Sequence, residues 1–138
     1  GLVRLHKARH AIRGAPTPDM DGVAVVDRAL GGRAEEIETV RLFWRLIARL
    51  SGDLALTFLA TGGISLSGGI LPRIVPLLDA AEFRRIFEAK APLEHVVRTI
   101  PTRVIMNGAG VLAGMAALAA NPDRYALDYG ARSWRNPR

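Results

Sequence analysis

The sequence predicts an α/β fold in which helices dominate and the sheet is incomplete. Several segments show helical spacing of apolar residues, whereas only two short runs, at 64–67 and 102–106, are candidates for strands. The two runs lie about 40 positions apart with helical segments between them. Strands joined in this way pair in parallel through a right-handed crossover. Because two strands alone make a marginal sheet, we expect the remaining strands to lie in sequence outside this chain.

The helical segments follow from apolar periodicity and from the residues that interrupt it. The first helix, Leu2–Arg13, is amphipathic, and Gly14 is expected to end it. The face that we expect it to bury consists of Leu2, Leu5, Ala8 and Ile12. A connector with two prolines, 15–21, separates it from the second helix. The later predicted helices are Val23–Leu30, Ile70–Leu78, Ala80–Ala89, Leu93–Arg98 and Val111–Ala120, with Pro72 in a first turn.

The longest periodic segment runs from Ala34 to about Ala60. Its apolar residues form a wide stripe, and only one line of the helix stays charged. The charged line consists of Glu38, Arg41, Arg45 and Arg49. So wide an apolar surface predicts a helix that is buried on most sides. Gly52 is expected to kink this helix or to split it in two.

The composition limits the classes of function. A net charge of +6 and a pI of about 11.0, with a basic segment at 4–13, allow a nucleic-acid-binding module. Arginines at helical spacing beside glutamates are also typical of a solvated helix face, which is the interpretation that we favour. The absence of cysteine excludes a disulfide scaffold and thiol catalysis. No apolar run reaches the length of a membrane span, so we expect a cytoplasmic protein.

Two histidines, His6 and His10, stand four positions apart on the first predicted helix. This spacing can place two imidazoles on one metal ion, but no third ligand follows at a suitable offset. We therefore expect the histidines to lie on a solvated face, and we predict no metal site.

Two glycine pairs bracket the first strand in the run TGGISLSGGILPRI. A strand that ends in Gly68 and Gly69 and turns into a helix lets a ligand lie against bare backbone. Nucleotides bind at such turns, outside the carboxyl ends of strands. Tight turns or close helix packing would explain the same glycines. A second glycine site, Gly108 to Gly110, follows the second strand and would lie on the same rim of a parallel sheet.

Three blocks carry a resemblance to a known family. The blocks are FLATGGISLSGGILPRI, EFRRIFEAKAPLEHVVRTIPTRVIM and GAGVLAGMAAL. They resemble the C-terminal part of bacterial glucokinases, which belong to the sugar kinase, hsp70 and actin superfamily. The resemblance implies that residues 1–120 are the C-terminal, nucleotide-side portion of an actin-like (ribonuclease H-like) ATPase domain. It does not extend to the remaining residues, 121–138, a C-terminal extension that we expect to be poorly ordered at its end.

The resemblance also implies a ligand and a reaction. Gly68 and Gly69 would lie against the adenosine of ATP, and Gly110 would help to complete the nucleotide side of the cleft. The whole enzyme would use ATP with Mg²⁺ to phosphorylate glucose at its 6-hydroxyl. Such kinases carry an Asp-Gly-Gly-Thr phosphate loop, whereas Asp21-Gly22 continues with Val-Ala here. No aspartate matches the catalytic base, so we assign no catalytic residue and expect the chain alone to be inactive.

Two alternatives remain open at this stage. One is the basic nucleic-acid-binding module, which we consider unlikely. The other is a non-catalytic remnant that associates with itself, because the apolar surface of 34–60 must be covered. A homo-oligomer is expected in either the kinase or the remnant interpretation.

Overall fold

The computed structural model describes residues 1–16, 18–121 and 124, and it divides into two compact units. The first unit is Gly1–Met106, and the second begins at Asn107. The first unit contains helices α1 (Leu2–Ile12), α2 (Gly22–Leu30), α3 (Ala34–Thr57), α4 (Leu71–Ile74), α5 (Ala80–Glu88) and α6 (Glu94–Arg98), and strands β1 (Ile64–Leu66) and β2 (Thr102–Val104). The described part of the second unit carries helix α7 (Gly110–Ala120). The predicted helix-rich α/β architecture is confirmed.

The sheet of the first unit consists of β1 and β2 in parallel, as predicted. Ile64 pairs with Thr102 and Leu66 pairs with Val104. These four side chains are half-buried, and the residues between them, Ser65 and Arg103, are exposed. The alternation places one face of the sheet on the core. Because the strands run in the same direction, their carboxyl ends meet at one edge of the sheet.

The core of the first unit is built around α3. This helix packs against α5, α2 and α1 through a buried stripe of mostly small residues. The stripe consists of Glu36, Thr39, Val40, Trp44, Ala48, Ser51, Gly52 and Ala55. Asp21 and Asp79 cap α2 and α5 by accepting backbone N–H groups. Among the described residues, none of the helices combines the length and the apolarity needed to cross a membrane.

The prediction that α3 is buried on most sides is wrong. Leu50 is 59% exposed and Phe58 is 74% exposed, and Leu46 and Leu54 are also exposed. The neighbouring helices approach along the line of small residues, where backbones can come close. Ile37, Phe43 and Ile47 are packed against the core in part, whereas the exposed leucines and Phe58 are largely uncovered in the described part of the chain.

Gly52 does not split α3, which runs unbroken from Ala34 to Thr57. A Cβ at this position would collide with the carbonyl oxygen of Phe87 and would lie 2.6 Å from Cε of Lys90. The Lys90 ammonium bonds the Arg49 carbonyl at 3.1 Å and pairs with Asp53 at 2.8 Å. The glycine therefore allows the end of α5 to pack directly against α3.

The predicted buried face of α1 is only partly correct. Leu2 is buried and Leu5 is half-buried, but Ala8 is exposed and Ile12 is 86% exposed. His6 is 1% exposed instead of lying on a solvated face. Its Nδ1 lies 2.8 Å from Oγ1 of Thr39 in α3. This long-range hydrogen bond satisfies a polar ring in the interior, so the helix turns His6 inward.

The Thr39 hydroxyl joins His6 to two further groups of the fold. The hydroxyl donates its proton to the Glu35 carbonyl oxygen at 3.1 Å and accepts from Arg9 at 2.7 Å. Nε2 of His6 is buried and has no partner within the described part of the chain. When both ring nitrogens are protonated, His6 becomes a buried cation whose Nε2–H has no partner in the described part of the chain.

The helix predicted over Ile70–Leu78 is shorter than expected. It forms the four-residue helix α4 followed by a 3₁₀ turn at Val75–Leu77. Pro72 lies in the first turn, as predicted. Pro76 has no N–H to continue the helical hydrogen bonds, so the α-helix ends before it.

Replacing Gly52 with alanine is expected to destabilise the chain. Alanine raises helix propensity by about 1 kcal/mol, whereas overpacking a close contact costs about 1–3 kcal/mol. Because the contact is with backbone, we expect the clash to dominate and the free energy of unfolding to fall. Urea unfolding measures the change, with Gly62→Ala as control because nothing lies within 4 Å of its added Cβ. Equal stability of the two variants would contradict the packing role of Gly52.

The buried His6 is expected to make stability depend on pH. Burial, followed by the neighbouring His10, lowers the pKa of His6 below its ordinary value, and Glu36 opposes the shift in part. The unfolded chain then binds the extra proton more readily than the folded chain does. The stability that neutral His6 contributes is therefore fully present above the ordinary pKa of about 6.5. It is lost as pH falls from there through the lowered pKa. Urea unfolding between pH 7.5 and 5.5 tests this expectation.

The matched variants for this pH series are His6→Gln and His95→Gln. Glutamine at position 6 removes the titrating group, so the loss of stability with falling pH should become smaller. His95 is exposed on α6, and its replacement should leave the pH dependence unchanged. An unchanged slope in His6→Gln would exclude His6 as the cause.

Candidate functional site

The turn after β1 presents bare backbone to the surface. Gly68 and Gly69 are exposed, and a Cβ added to either would meet nothing within 4 Å. Gly68 has φ +144°, a conformation that L residues rarely adopt, whereas Gly69 lies outside the left-handed region. A tight turn therefore explains Gly68. Close helix packing explains neither glycine.

A groove of about 400 Å³ opens beside Gly69. One wall is the turn and the start of α4, and the other wall is the first half of α2. The lining residues are Asp21, Gly22, Val23, Val26, Gly69, Ile70 and Arg73. Its volume lies within the range of about 300–1,000 Å³ that is typical of small-molecule sites. The cavity between the sheet and Trp44, at about 150 Å³, is smaller than that range.

Charged groups stand at the rim of this groove and apolar groups form its walls. Nη2 of Arg73 lies 2.6 Å from Oδ1 of Asp27, so an ion pair joins α4 to α2. Oδ1 of Asp21 accepts the Ala24 N–H at 2.8 Å and caps α2. Val23 is 53% exposed. Apolar walls with a few charged groups at the edge suit a ligand that combines an uncharged ring with polar groups.

The second glycine site lies at the start of α7. Gly110 is the first residue of that helix, and its N–H donates to the Asn107 carbonyl at 3.1 Å. The side-chain oxygen of Asn107 accepts the Ala109 N–H at 2.9 Å. Gly110 belongs to the second unit, and its position beside Gly68 stays a prediction.

The histidine pair has a structural setting. The His6 and His10 ring centroids lie 4.6 Å apart, edge to face. Across the residues that the structure describes, no three His, Asp or Glu side chains come together as metal ligands. Nδ1 of His6 is engaged by Thr39, so His6 joins α1 to α3.

Three cations of the basic segment 4–13 face carboxylates or carbonyls of the fold: Lys7, Arg9 and Arg13. Nη1 of Arg9 donates to the Glu35 carbonyl at 2.6 Å, and Arg13 pairs with the Glu35 carboxylate at 2.7 Å. Lys7 lies 3.9 Å from Asp19. Arginines that are paired in this way serve the packing of α1 on α3.

Sequence reasoning found one wall of the groove and missed the other. Val23 and Asp21 belong to a segment that was identified only as a connector and a short helix. The one local signal was the Asp-Gly pair at the start of α2, which resembles no nucleotide motif. That α2 lies beside the Gly69 turn follows only from tertiary packing.

The sequence model of the glucokinase family matches residues 1–122. The chain belongs to the glucokinase family. It is 40% identical over 136 residues to the glucokinase of Rhizobium meliloti (strain 1021) and to that of Agrobacterium fabrum (strain C58 / ATCC 33970). The glucokinase of Rhizobium etli (strain CIAT 652) is 39% identical over the same length. Each match covers 98% of this chain, and the chain spans about 40% of the length of these curated relatives.

Membership of the glucokinase family confirms the resemblance on which the site was predicted. Gly68, Gly69 and Gly110 all lie within the family match. The predicted extension, 121–138, lies outside the described residues except for Asn121 and Arg124. The boundary predicted at residue 120 therefore stays a prediction.

The two glycines of the turn are expected to respond differently to alanine. Gly68→Ala forces a side chain into a backbone conformation that costs about 1–3 kcal/mol. Gly69→Ala adds an exposed methyl group in open space, so its effect should stay within about 0.5 kcal/mol. Thermal and urea unfolding of the two variants measure the difference. Equal losses would show that the turn adopts a different backbone from the one described.

Proposed function

We propose that this chain supplies the adenosine-binding wall of an ATP-dependent glucose 6-phosphotransferase, a glucokinase. Two findings support the proposal. The chain belongs to the glucokinase family, and the turn after β1 offers bare backbone beside an open groove. In this proposal Gly68 and Gly69 lie against the adenosine, and Gly110 completes the nucleotide side of the cleft.

The observation that carries the proposal is that nothing in the described fold requires a glycine at position 69. Neither its backbone conformation nor any neighbour within 4 Å requires a glycine. Gly62 is equally open, but it is not among the residues that line the groove. A flat ring that rests on the peptide at position 69 would collide with a Cβ there. The ligand then explains a residue that the unliganded fold does not.

The proposed fold of the complete protein is an actin-like ATPase domain. The two-stranded sheet supports this proposal, because such a small sheet gains stability from further strands. We further propose that glucose, ATP and Mg²⁺ are used by the whole protein in the cytoplasm. Phosphoryl transfer depends mainly on positioning and on charge stabilisation of the phosphates. A chain that supplies only the adenosine wall is therefore expected to be inactive alone.

An exposed apolar surface on α3 favours association as a second property. Leu46 and Leu50 are exposed on this helix, as is Phe58 just after it, and Leu46 and Leu50 line an apolar groove with Gly1 and Leu5. A second copy of the chain, as in the predicted homo-oligomer, would remove this surface from water. The nucleic-acid alternative gains no such support, because Arg9 and Arg13 are bound to Glu35.

Replacing Gly69 with valine is expected to weaken ATP binding at least tenfold. The branched side chain would fill the space that the proposed base occupies, and the open position should tolerate it in the fold. Titration of the chain with a fluorescent ATP analogue measures the dissociation constant. Gly62→Val is the matched control, because it adds the same side chain at an equally open glycine.

Two results would count against the proposed function. If the chain and Gly69→Val bind the ATP analogue with equal affinity, the adenosine does not bind at this turn. An absence of binding would contradict the proposal in the same way. Phosphorylation of glucose by the purified chain would contradict its proposed inactivity.

A further inference from the structure

The groove beside Gly69 has a second wall that no glycine motif reveals. Asp21, Val23 and Val26 of the α2 segment line it opposite the Gly69–Ile70 backbone. Val26 is fully buried, so Val23 is the apolar side chain of α2 that meets the solvent of the groove. A half-exposed valine across from bare backbone forms a slot with two apolar faces.

The charges at the start of α2 decide which part of a nucleotide fits this slot. Asp21 already caps the helix by accepting the Ala24 N–H, and its carboxylate stands at the mouth of the groove. A phosphate beside the Asp21 carboxylate would meet like charge, and the Arg73 guanidinium that also lines the groove is already paired with Asp27. An uncharged aromatic ring meets no such penalty and removes the exposed side chain of Val23 from water. The slot therefore suits the base.

The separation of the two walls is set by contacts outside the slot. The ion pair between Arg73 and Asp27 spans from α4 to α2. Nε1 of Trp44 donates to the Ile74 carbonyl at 3.1 Å in the buried core, which holds α4 on α3. Because α2 also packs on α3, both walls are mounted on the same helix. The slot is thus preformed in the chain.

We infer that α2 forms the second wall of the nucleotide groove and that Val23 holds the purine base against the Gly69–Ile70 backbone. This inference rests on the proposed function, because it takes the ligand to be an adenine nucleotide. It adds a base-positioning residue from a segment that the glycine motif does not include.

Nuclear magnetic resonance of the chain with ATP tests the inference directly. The ring current of a stacked base shifts the resonances of methyl groups that lie over it. With labelled valine, leucine and isoleucine methyl groups, ATP should produce its largest shifts at Val23 and Ile70. The methyl groups of Leu46 and Ile12, which are exposed elsewhere, should not move.

Matched variants add an energetic measurement. Val23→Gln is expected to raise the dissociation constant for ATP at least threefold, whereas Val23→Ile, which keeps the apolar wall, should bind as the unmodified chain does. Leu30→Gln places the same polar group at an exposed position of α2 outside the groove, and it should leave binding unchanged. Circular dichroism checks that α2 is intact in each variant.

The outcomes separate this inference from the proposed function. If ATP shifts the amide of Gly69 but not the methyl groups of Val23, and Val23→Gln binds ATP normally, the second wall is wrong and the adenosine turn stands. If ATP shifts neither Gly69 nor Val23, both are wrong. Methyl shifts at Val23 together with weaker binding by Val23→Gln would support the inference.

Discussion

The geometry of the candidate site depends on the close packing of α5 against α3 at Gly52. Without a side chain there, the backbone of Phe87 lies directly on α3, which fixes α5. Arg84 of α5 then donates to the Ile100 carbonyl at 3.0 Å, just before β2 begins. β2 pairs in parallel with β1, and β1 is followed by the turn that contains Gly69. A helix contact that only glycine allows is thus linked, through Arg84 and the sheet, to the turn that contains Gly69.

The groove wall formed by α4 is held mainly by buried contacts. Trp44 donates to the Ile74 carbonyl inside the core, and such a hydrogen bond contributes about 0.5–1.5 kcal/mol net. The Arg73–Asp27 ion pair is exposed on both sides, so its contribution is about 0.2–1 kcal/mol and is screened by salt. Leu71 and Ile74 of α4 are also buried in the core. The core therefore fixes the wall, and the ion pair refines its distance from α2.

The sequence predicted the elements well and the contacts between them poorly. Periodicity located the helices and both strands, and the run from Ile64 to Pro72 was recognised because strand, glycine and proline signals are all local. Gly52 was misjudged because helix propensity describes an isolated helix, whereas Phe87 decides this position. The inward turn of His6 depends on Thr39, 33 positions away. The wall formed by α2 depends on its packing on α3 and on its contact with α4, where Arg73 and Asp27 are 46 positions apart.

The glycines of this chain show how a ligand site can be separated from a structural requirement. At Gly52 a side chain has no room, and at Gly63 a positive φ combines with Pro101 at 3.0 Å from a built Cβ. Both glycines are explained by the fold itself. Glycine costs conformational entropy on folding, about 0.5–1 kcal/mol relative to alanine in regular structure, so one that relieves no contact stabilises nothing. Gly69 relieves none, yet it borders a two-walled groove. Gly62 is as open but does not line the groove, so a molecule that approaches the backbone is the benefit that we propose for Gly69.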